Sequence, residues 1–464
     1  MMKQNLLKEL QLIVGKENVL SSREDLVCYS YDAAPLLVHS LPYGVVLPSS
    51  TEEVVNLLRL AKASGIKVVP RGAGTNLSGG TIPIKGGIII QLTRMSHILE
   101  IDSDNLTATV EPGVITSTLQ SAVEQVGLFY PPDPASANVS TLGGNVAECA
   151  GGLRGLKYGT TKDYVIGLET VLPSGEVMVT GGKTIKNRAG YDLTKLMVGS
   201  EGTLGIFTKI TLRLLPLPET KRTLLIMYPN FQYAAESVSD IIAHRILPAT
   251  LEFLDGVTIN CVEAYTHIGL PQNAQAILLI EVDGSSWDTE WEAKKVAEIC
   301  SRHQPLEAKL ALTPSESTSL TLARRSALAS LARVRPTTIL EDVTVPPSKL
   351  MEIMSKINQI AKTHNIQVGI FGHAGDGNLH PTFLTDGRDE EEMKRVEAAI
   401  TEVFEVTLKL GGTISGEHGI GLTKARFLPS QVKPSGLKVM KAIKEGFDPQ
   451  NILNPGKIFT EYSP

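Results

Sequence analysis

Apolar residues recur along this chain at two spacings, and the spacing changes with position. Leu6, Leu7, Leu10, Ile13 and Val14 fall on one face of a helix, with Lys8 and Glu9 off it. Short β-branched runs at 44–47, 67–69 and 88–92 read as strands. Between the first two, Val54, Val55, Leu58 and Ala61 predict a helix over 52–63, with Ser49, Ser50 or Thr51 as its N-cap. Residues 106–111 alternate as a half-buried strand does. Helical spacing returns over 116–126 until Gly127 stops it. LPLPE at 215–219 reads as a Pro-interrupted linker. Beyond it, strands at 224–228 and 277–282 are mixed with helices at 234–243, 290–301, 350–363 and 390–410. This order, βαβ early and mixed later, predicts an α+β protein.

Composition narrows the class. At about 150 residues per domain, 464 residues make two or three domains. Apolar residues at 42% and charged residues at 20% suit a soluble chain with sizeable cores. A net charge of −5 argues against nucleic acid as a partner. Cys28, Cys149, Cys261 and Cys300 are dispersed, with no C-x-x-C pair. That spacing supports neither an iron–sulfur site nor a disulfide scaffold. No apolar run reaches the roughly 18 residues of a membrane span, and the N-terminus lacks an uninterrupted signal core. The chain is read as cytoplasmic.

The 41 glycines cluster. PRGAGTNLSGG, residues 70–80, follows a predicted strand. It is not a G-x-G-x-x-G, because Leu77 stands where the third Gly belongs. Nor is GKT at 182–184 a Walker A loop, because Val177 replaces the leading Gly. A loop so rich in Gly can turn successive main-chain N–H groups toward one anion, and Arg71, Thr75 and Ser78 can add donors. Two readings stand for it, a pyrophosphate cradle and an ordinary turn. Further glycine-rich stretches run from Thr141 through Gly144, Gly151 and Gly152 to Tyr158, and from Gly199 through Gly202 to Gly205. A long cofactor lying against the backbone would account for all three.

Three of nine histidines lie in two polar segments, GHAGDGNLH and SGEHG. Asp376-Gly377 signals a two-residue hairpin, which would set His373 directly opposite His380 on one face. Such a pair can share a metal with Glu417, in a two-His, one-carboxylate set with open positions. It can equally be a hydrogen-bonded pair in the core. His418, beside Glu417, is the side-chain type suited to take a proton near neutral pH, or else only orients Glu417. Arg324, Arg325, Arg333 and Arg335 in RRSALASLARVRP are candidate partners for an anion; most belong to a solvated basic face.

The long motifs PRGAGTNLSGG, GGNVAECAGGLRGLKYGTTKDYVIGLETVLPSG and GSEGTLGI resemble the FAD-binding domain of the vanillyl-alcohol-oxidase/p-cresol-methylhydroxylase (PCMH) superfamily. GHAGDGNLHP, SGEHGIG and FDPQNILNPGK narrow the resemblance. They are similar to the FAD-dependent D-2-hydroxyacid dehydrogenases, a group that includes the FAD-linked subunit of bacterial glycolate oxidase and the D-lactate and D-2-hydroxyglutarate dehydrogenases. The resemblance implies a two-subdomain, PCMH-type FAD domain over 1–217. It implies an α+β cap with an antiparallel sheet over 218–410 and a segment, 411–464, returning to the FAD domain.

By position, Arg71, Gly72, Gly74, Thr75, Asn76 and Gly79 would line the pyrophosphate. Pro132, Thr141, Gly144, Asn145, Gly151, Gly152, Tyr158, Gly202, Ile206 and Asn454 would meet other parts of FAD, with Lys457 near the ring. No His lies between 97 and 244, so the FAD is expected to be non-covalent. The resemblance implies His373, His380 and Glu417 as ligands of a divalent metal (zinc, or manganese or iron), His418 as base and Arg324 as substrate anchor. Thr321 stands where the group's Trp precedes that Arg. Glutarate-specific members carry a Thr and a Lys where this chain has Leu328 and Leu340, which favours glycolate or D-lactate. The expected reaction is oxidation to the 2-oxo acid. Electrons would pass to an iron–sulfur or similar partner subunit or a diffusible acceptor, in a homo- or hetero-oligomer.

Overall fold

The computed structural model describes residues 2–35, 40–271 and 273–459. Contacts divide the chain into two compact units. One holds residues 1–150, 160–217 and 417–464, and the other 151–159 with 218–416.

In the first unit, Gly44–Val46, Ile88–Gln91 and Val68–Arg71 pair in parallel, and Val19–Leu20 closes the edge antiparallel. Helix Thr51–Ser64 is the crossover. Ser50 caps it by accepting the Glu53 N–H, Glu53 accepts the Ser49 N–H, and Gly65 ends it at φ 65°. Its apolar stripe, Val54, Leu57, Leu58 and Ala61, packs with Leu10, Val68, Ile88 and Ile90. Ile452 and Leu453 join that core, and the Val68 N–H donates to the Ile452 carbonyl at 2.9 Å. A second, antiparallel sheet runs in the order Ile98–Asp102, Thr107–Val110, Ile206–Arg213, Val165–Val171, Val177–Gly181. The expected linker is in part a strand: Leu215–Pro216 pairs with Leu128–Phe129. A two-residue edge strand tolerates the missing proline donor.

The second unit is built on one antiparallel sheet, in the order Glu307–Leu310, Thr220–Tyr228, Ala276–Gly284, Thr250–Asp255, Gln367–His373, Asn378–Thr385, Thr337–Leu340. Val343–Thr344 also pairs with Asn378 and Leu379. Helices Gly256–Thr266, Pro314–Arg325 and Ala327–Leu331 cover one face through Ile259, Val262, Ala323, Ala327 and Leu331. Phe231–Ala243, Ser286–Ser301, Leu350–Thr363 and Glu390–Lys409 also pack on its strands. With both faces covered, the central strand Ala276–Gly284 is a nearly continuous buried apolar run rather than an alternating one.

Asp255 caps helix Gly256–Thr266 by accepting the Thr258 N–H at 2.8 Å. Burial pushes its carboxyl up to about 6, against the Thr258 hydrogen bonds that lower it. The unfolded carboxyl ionises first, near 4, so this group's contribution to stability falls as pH rises from about 4 to 6. Asp255→Asn keeps the cap and removes that loss. It should leave stability at pH 4 unchanged and raise it at pH 7 by up to about 3 kcal/mol. Urea midpoints at the two pH values check this, and equal gains at both would refute it.

Candidate active site

The hairpin carrying the two histidines differs from the two-residue form that the sequence suggests. Its strands are Gln367–His373 and Asn378–Thr385, so the loop has four residues, not two. His373 stands opposite Asn378, and His380 opposite Phe371. The Asp-Gly pair cannot form a tight turn because its groups are engaged elsewhere. The Gly377 N–H donates to the His373 carbonyl at 3.1 Å, and the Gly377 carbonyl accepts from Val345 at 3.1 Å. Gly377 has φ +80°, and a Cβ there would overlap the Val345 carbonyl oxygen. The register moves by two residues, and a shift of two leaves every side chain on its original face. The imidazoles therefore still meet, as a diagonal pair with ring centroids 5.3 Å apart and planes at 89°.

Glu252, which lies outside every sequence motif, completes this cluster. It lies on strand Thr250–Asp255 opposite His373 and is fully buried. One carboxylate oxygen is 2.6 Å from His373 Nδ1, and the other accepts from Arg324 Nε at 2.5 Å. Burial alone would raise this carboxyl, but the His373 and Arg324 charges and hydrogen bonds hold it below its ordinary value. An ionised carboxylate only accepts, so His373 Nδ1 carries the proton. Arg324 is 7% exposed and stacks over the Phe371 ring at 4.7 Å. The other arginines are placed elsewhere. Arg325 is exposed, Arg333 lies over the Tyr265 ring, and Arg335 pairs with Glu392 at 2.7 Å.

Asp342 is a second acid, also fully buried. It accepts from Asn378 Nδ2 at 2.6 Å, Ser415 Oγ at 2.9 Å and the Gly416 N–H at 2.9 Å. His380 Nδ1 is 4.0 Å away. Asp342 thus holds the chain one residue before Glu417. Glu417 and His418 themselves are counted in the first unit, with His418 Nε2 3.9 Å from the Glu417 carboxylate. Glu201, at φ 50°, accepts the Ile420 and Gly421 N–H groups at 2.8 and 2.7 Å.

The glycine-rich residues of the first unit converge on that segment. Asn454 Nδ2 donates to the Gly80 and Glu201 carbonyls, and Lys457 Nζ to those of Gly80 and Ile82. Burial pulls Lys457 down to about 8 against the opposing pull of Asp32, Glu201 and Glu148. Burial also raises Glu148, and Glu201 beside it adds to the shift. Thr141 caps helix Leu142–Glu148 through the Gly144 N–H. A Cβ on Gly72 would overlap Thr141 Oγ1, so only glycine fits there. Asn145 donates to Thr116 Oγ1 at 2.7 Å, and the Pro132 carbonyl accepts from Gln120 at 2.9 Å. Gly202 has φ 66°, and Ile206 opens a buried strand.

Sequence comparison identifies this architecture. Residues 42–181 match the family described as "FAD binding domain", and residues 217–458 match "FAD linked oxidases, C-terminal domain". The chain belongs to the FAD-linked oxidases. It is 53% identical to glycolate oxidase subunit GlcD of Bacillus subtilis over 98% of this chain and 96% of that one. It is 35% identical to the Escherichia coli K12 subunit of the same name, over 95% and 88%. It is 37% identical to a D-lactate dehydrogenase of Archaeoglobus fulgidus, over 93% and 95%. Among solved structures, p-cresol methylhydroxylase shares the fold at TM-score 0.82 and 17% identity, over 100% of this chain and 98% of that one. The α+β, PCMH-type fold and an FAD-dependent oxidoreductase class follow.

The residues present in this FAD-linked oxidase fit the cofactor. Among the described residues, none of the main-chain N–H groups from Ala73 to Asn76 meets a protein acceptor. That leaves a row of donors beside Gly72, Gly74, Thr75 and Gly79, as an anionic pyrophosphate requires. Arg71 Nη1 donates to the Tyr31 carbonyl at 2.8 Å and to Thr81 Oγ1 at 3.1 Å, and its Nη2 lies against Gly74. Asn76 Nδ2 likewise donates to Asp32 at 2.8 Å. Gly151, Gly152 and Tyr158 fall in the second unit, where the Tyr158 hydroxyl donates to Asp283 at 2.8 Å. No helix among the described residues is long and apolar enough to cross a membrane.

Proposed function

We propose that this chain oxidises a small D-2-hydroxy acid, glycolate foremost, to its 2-oxo acid. The observation that carries this is a buried cation, Arg324, that shares the Glu252 carboxylate with His373, whose ring meets that of His380 edge-on. The likeness to glycolate oxidase subunits supports glycolate, and D-lactate is the second reading. Arg324 Nη groups bind the substrate carboxylate, since its Nε is held by Glu252. His373, His380 and Glu417 would hold a divalent metal, zinc or else manganese or iron, whose charge there would acidify the substrate hydroxyl. Two observations support that set: Glu252 fixes the His373 tautomer, and Asp342 anchors the chain just ahead of Glu417. His418 takes the hydroxyl proton. Non-covalent FAD, when bound, supplies a two-electron acceptor for the C2 hydride.

The electrons leave to a partner subunit or a diffusible acceptor. The likeness to a Bacillus subtilis protein that is a glycolate oxidase subunit supports a hetero-oligomer. We place the protein in the cytoplasm, meeting a membrane only through such partners. Chain length is selected by Leu340, half-buried against the cluster that holds Phe371; Leu328 is exposed and does not contribute. Anaerobic stopped-flow bleaching of the flavin tests the whole proposal. Glycolate and D-lactate should bleach it roughly tenfold or more faster than D-2-hydroxyglutarate, whose second carboxylate finds no partner. L-lactate should be slow. Bleaching by none of the four, or fastest by D-2-hydroxyglutarate, would sink the proposal.

A further inference from the structure

We infer that Glu252 is a positioning residue that sets two functional groups with one carboxylate, the metal-facing nitrogen of His373 and the substrate-facing edge of Arg324. This inference rests on the proposed metal and substrate sites. Glu252 has no solvent exposure, and both its oxygens are engaged, Oε1 by His373 Nδ1 at 2.6 Å and Oε2 by Arg324 Nε at 2.5 Å. The His373 contact is fixed by the sheet, because the two residues are cross-strand partners. It places the proton on Nδ1 and leaves Nε2 as the coordinating nitrogen. The Arg324 contact arrives from a helix, Pro314–Arg325. With Nε occupied by Glu252, the two terminal nitrogens are the pair left to bind a carboxylate in bidentate fashion. Stacking on Phe371 fixes the plane of the fork.

The test uses the full-length FAD-loaded protein, stripped with chelator and titrated with Co²⁺ or Zn²⁺ by equilibrium dialysis. Wild type, His373→Ala, Glu252→Gln and the paired Glu252→Gln/Arg324→Met variant are compared. Glu252→Gln should weaken metal binding by about 10–100-fold. At saturating metal it should also raise KM for glycolate more than it lowers kcat. Should the single variant fail to fold, the paired variant, which buries no lone charge, should show the same loss of metal affinity. Wild-type metal affinity in a folded Glu252→Gln or paired variant would overturn the inference while leaving the metal site standing. Absence of metal binding in wild type, or undiminished binding in His373→Ala, would overturn the proposed site, and the inference with it.

Discussion

His418→Ala should reduce kcat for glycolate by on the order of 10²–10⁴ while the purified protein keeps its flavin. The proton on the substrate hydroxyl must leave as hydride leaves C2, and a neutral imidazole is matched to that transfer near pH 7. The side chain is removable without collapse, because the chain around it is pinned by other groups. Asp342 holds Ser415 and Gly416, and Glu201 holds Ile420 and Gly421. Binding of FAD should persist, since the donor row at Ala73 to Asn76 lies on a different loop. Single-turnover flavin bleaching separates the proton step from later electron transfer. A His418→Ala protein that bleaches at the wild-type rate would remove His418 as the base. It would favour an FAD-binding scaffold role if glycolate had no effect on wild type either.

What the sequence disclosed about this site follows the range of the interactions involved. Period-2 and period-3.6 patterns report burial. The helix expected over 52–63 is Thr51–Ser64, and the strand expected over 277–282 lies inside Ala276–Gly284. The pairing of His373 with His380 survived a register error because sheet faces repeat every two residues. Turn type did not survive, because Gly377 is claimed by Val345, a contact 32 residues away that no local rule contains. Glu252 and Asp342 were invisible for a similar reason. Glu252 stands between Leu251 and Phe253, Asp342 follows Glu341 in a mostly apolar stretch, and the partners of both come from distant segments. A fully buried acid must be paired, so for Glu252 its position in a buried apolar strand was the one signal available. For Arg71 the motif was legible, whereas the bonds of its Nη1 to Tyr31 and Thr81 were not.

Arg324→Met should be the most damaging substitution in the second unit, for two separable reasons. Removing one member of a buried ion pair leaves the other without its compensating charge, at a cost of about 3–5 kcal/mol. Here the stranded group is Glu252, which has no exposure and would keep only His373. Apolar Met can fill the space over Phe371, so the loss is one of charge rather than packing. Adding Glu252→Gln to Arg324→Met should therefore recover most of the lost stability in urea unfolding. It should not recover turnover. The substrate carboxylate would still lack its cation, and kcat/KM for glycolate should stay down by roughly 10²-fold or more in both variants, mostly through KM. Arg324→Lys should restore charge but not the bidentate fork, placing it between wild type and Met. Stability recovered together with full turnover in the paired variant would show that Arg324 serves the fold alone and that the substrate carboxylate is bound elsewhere.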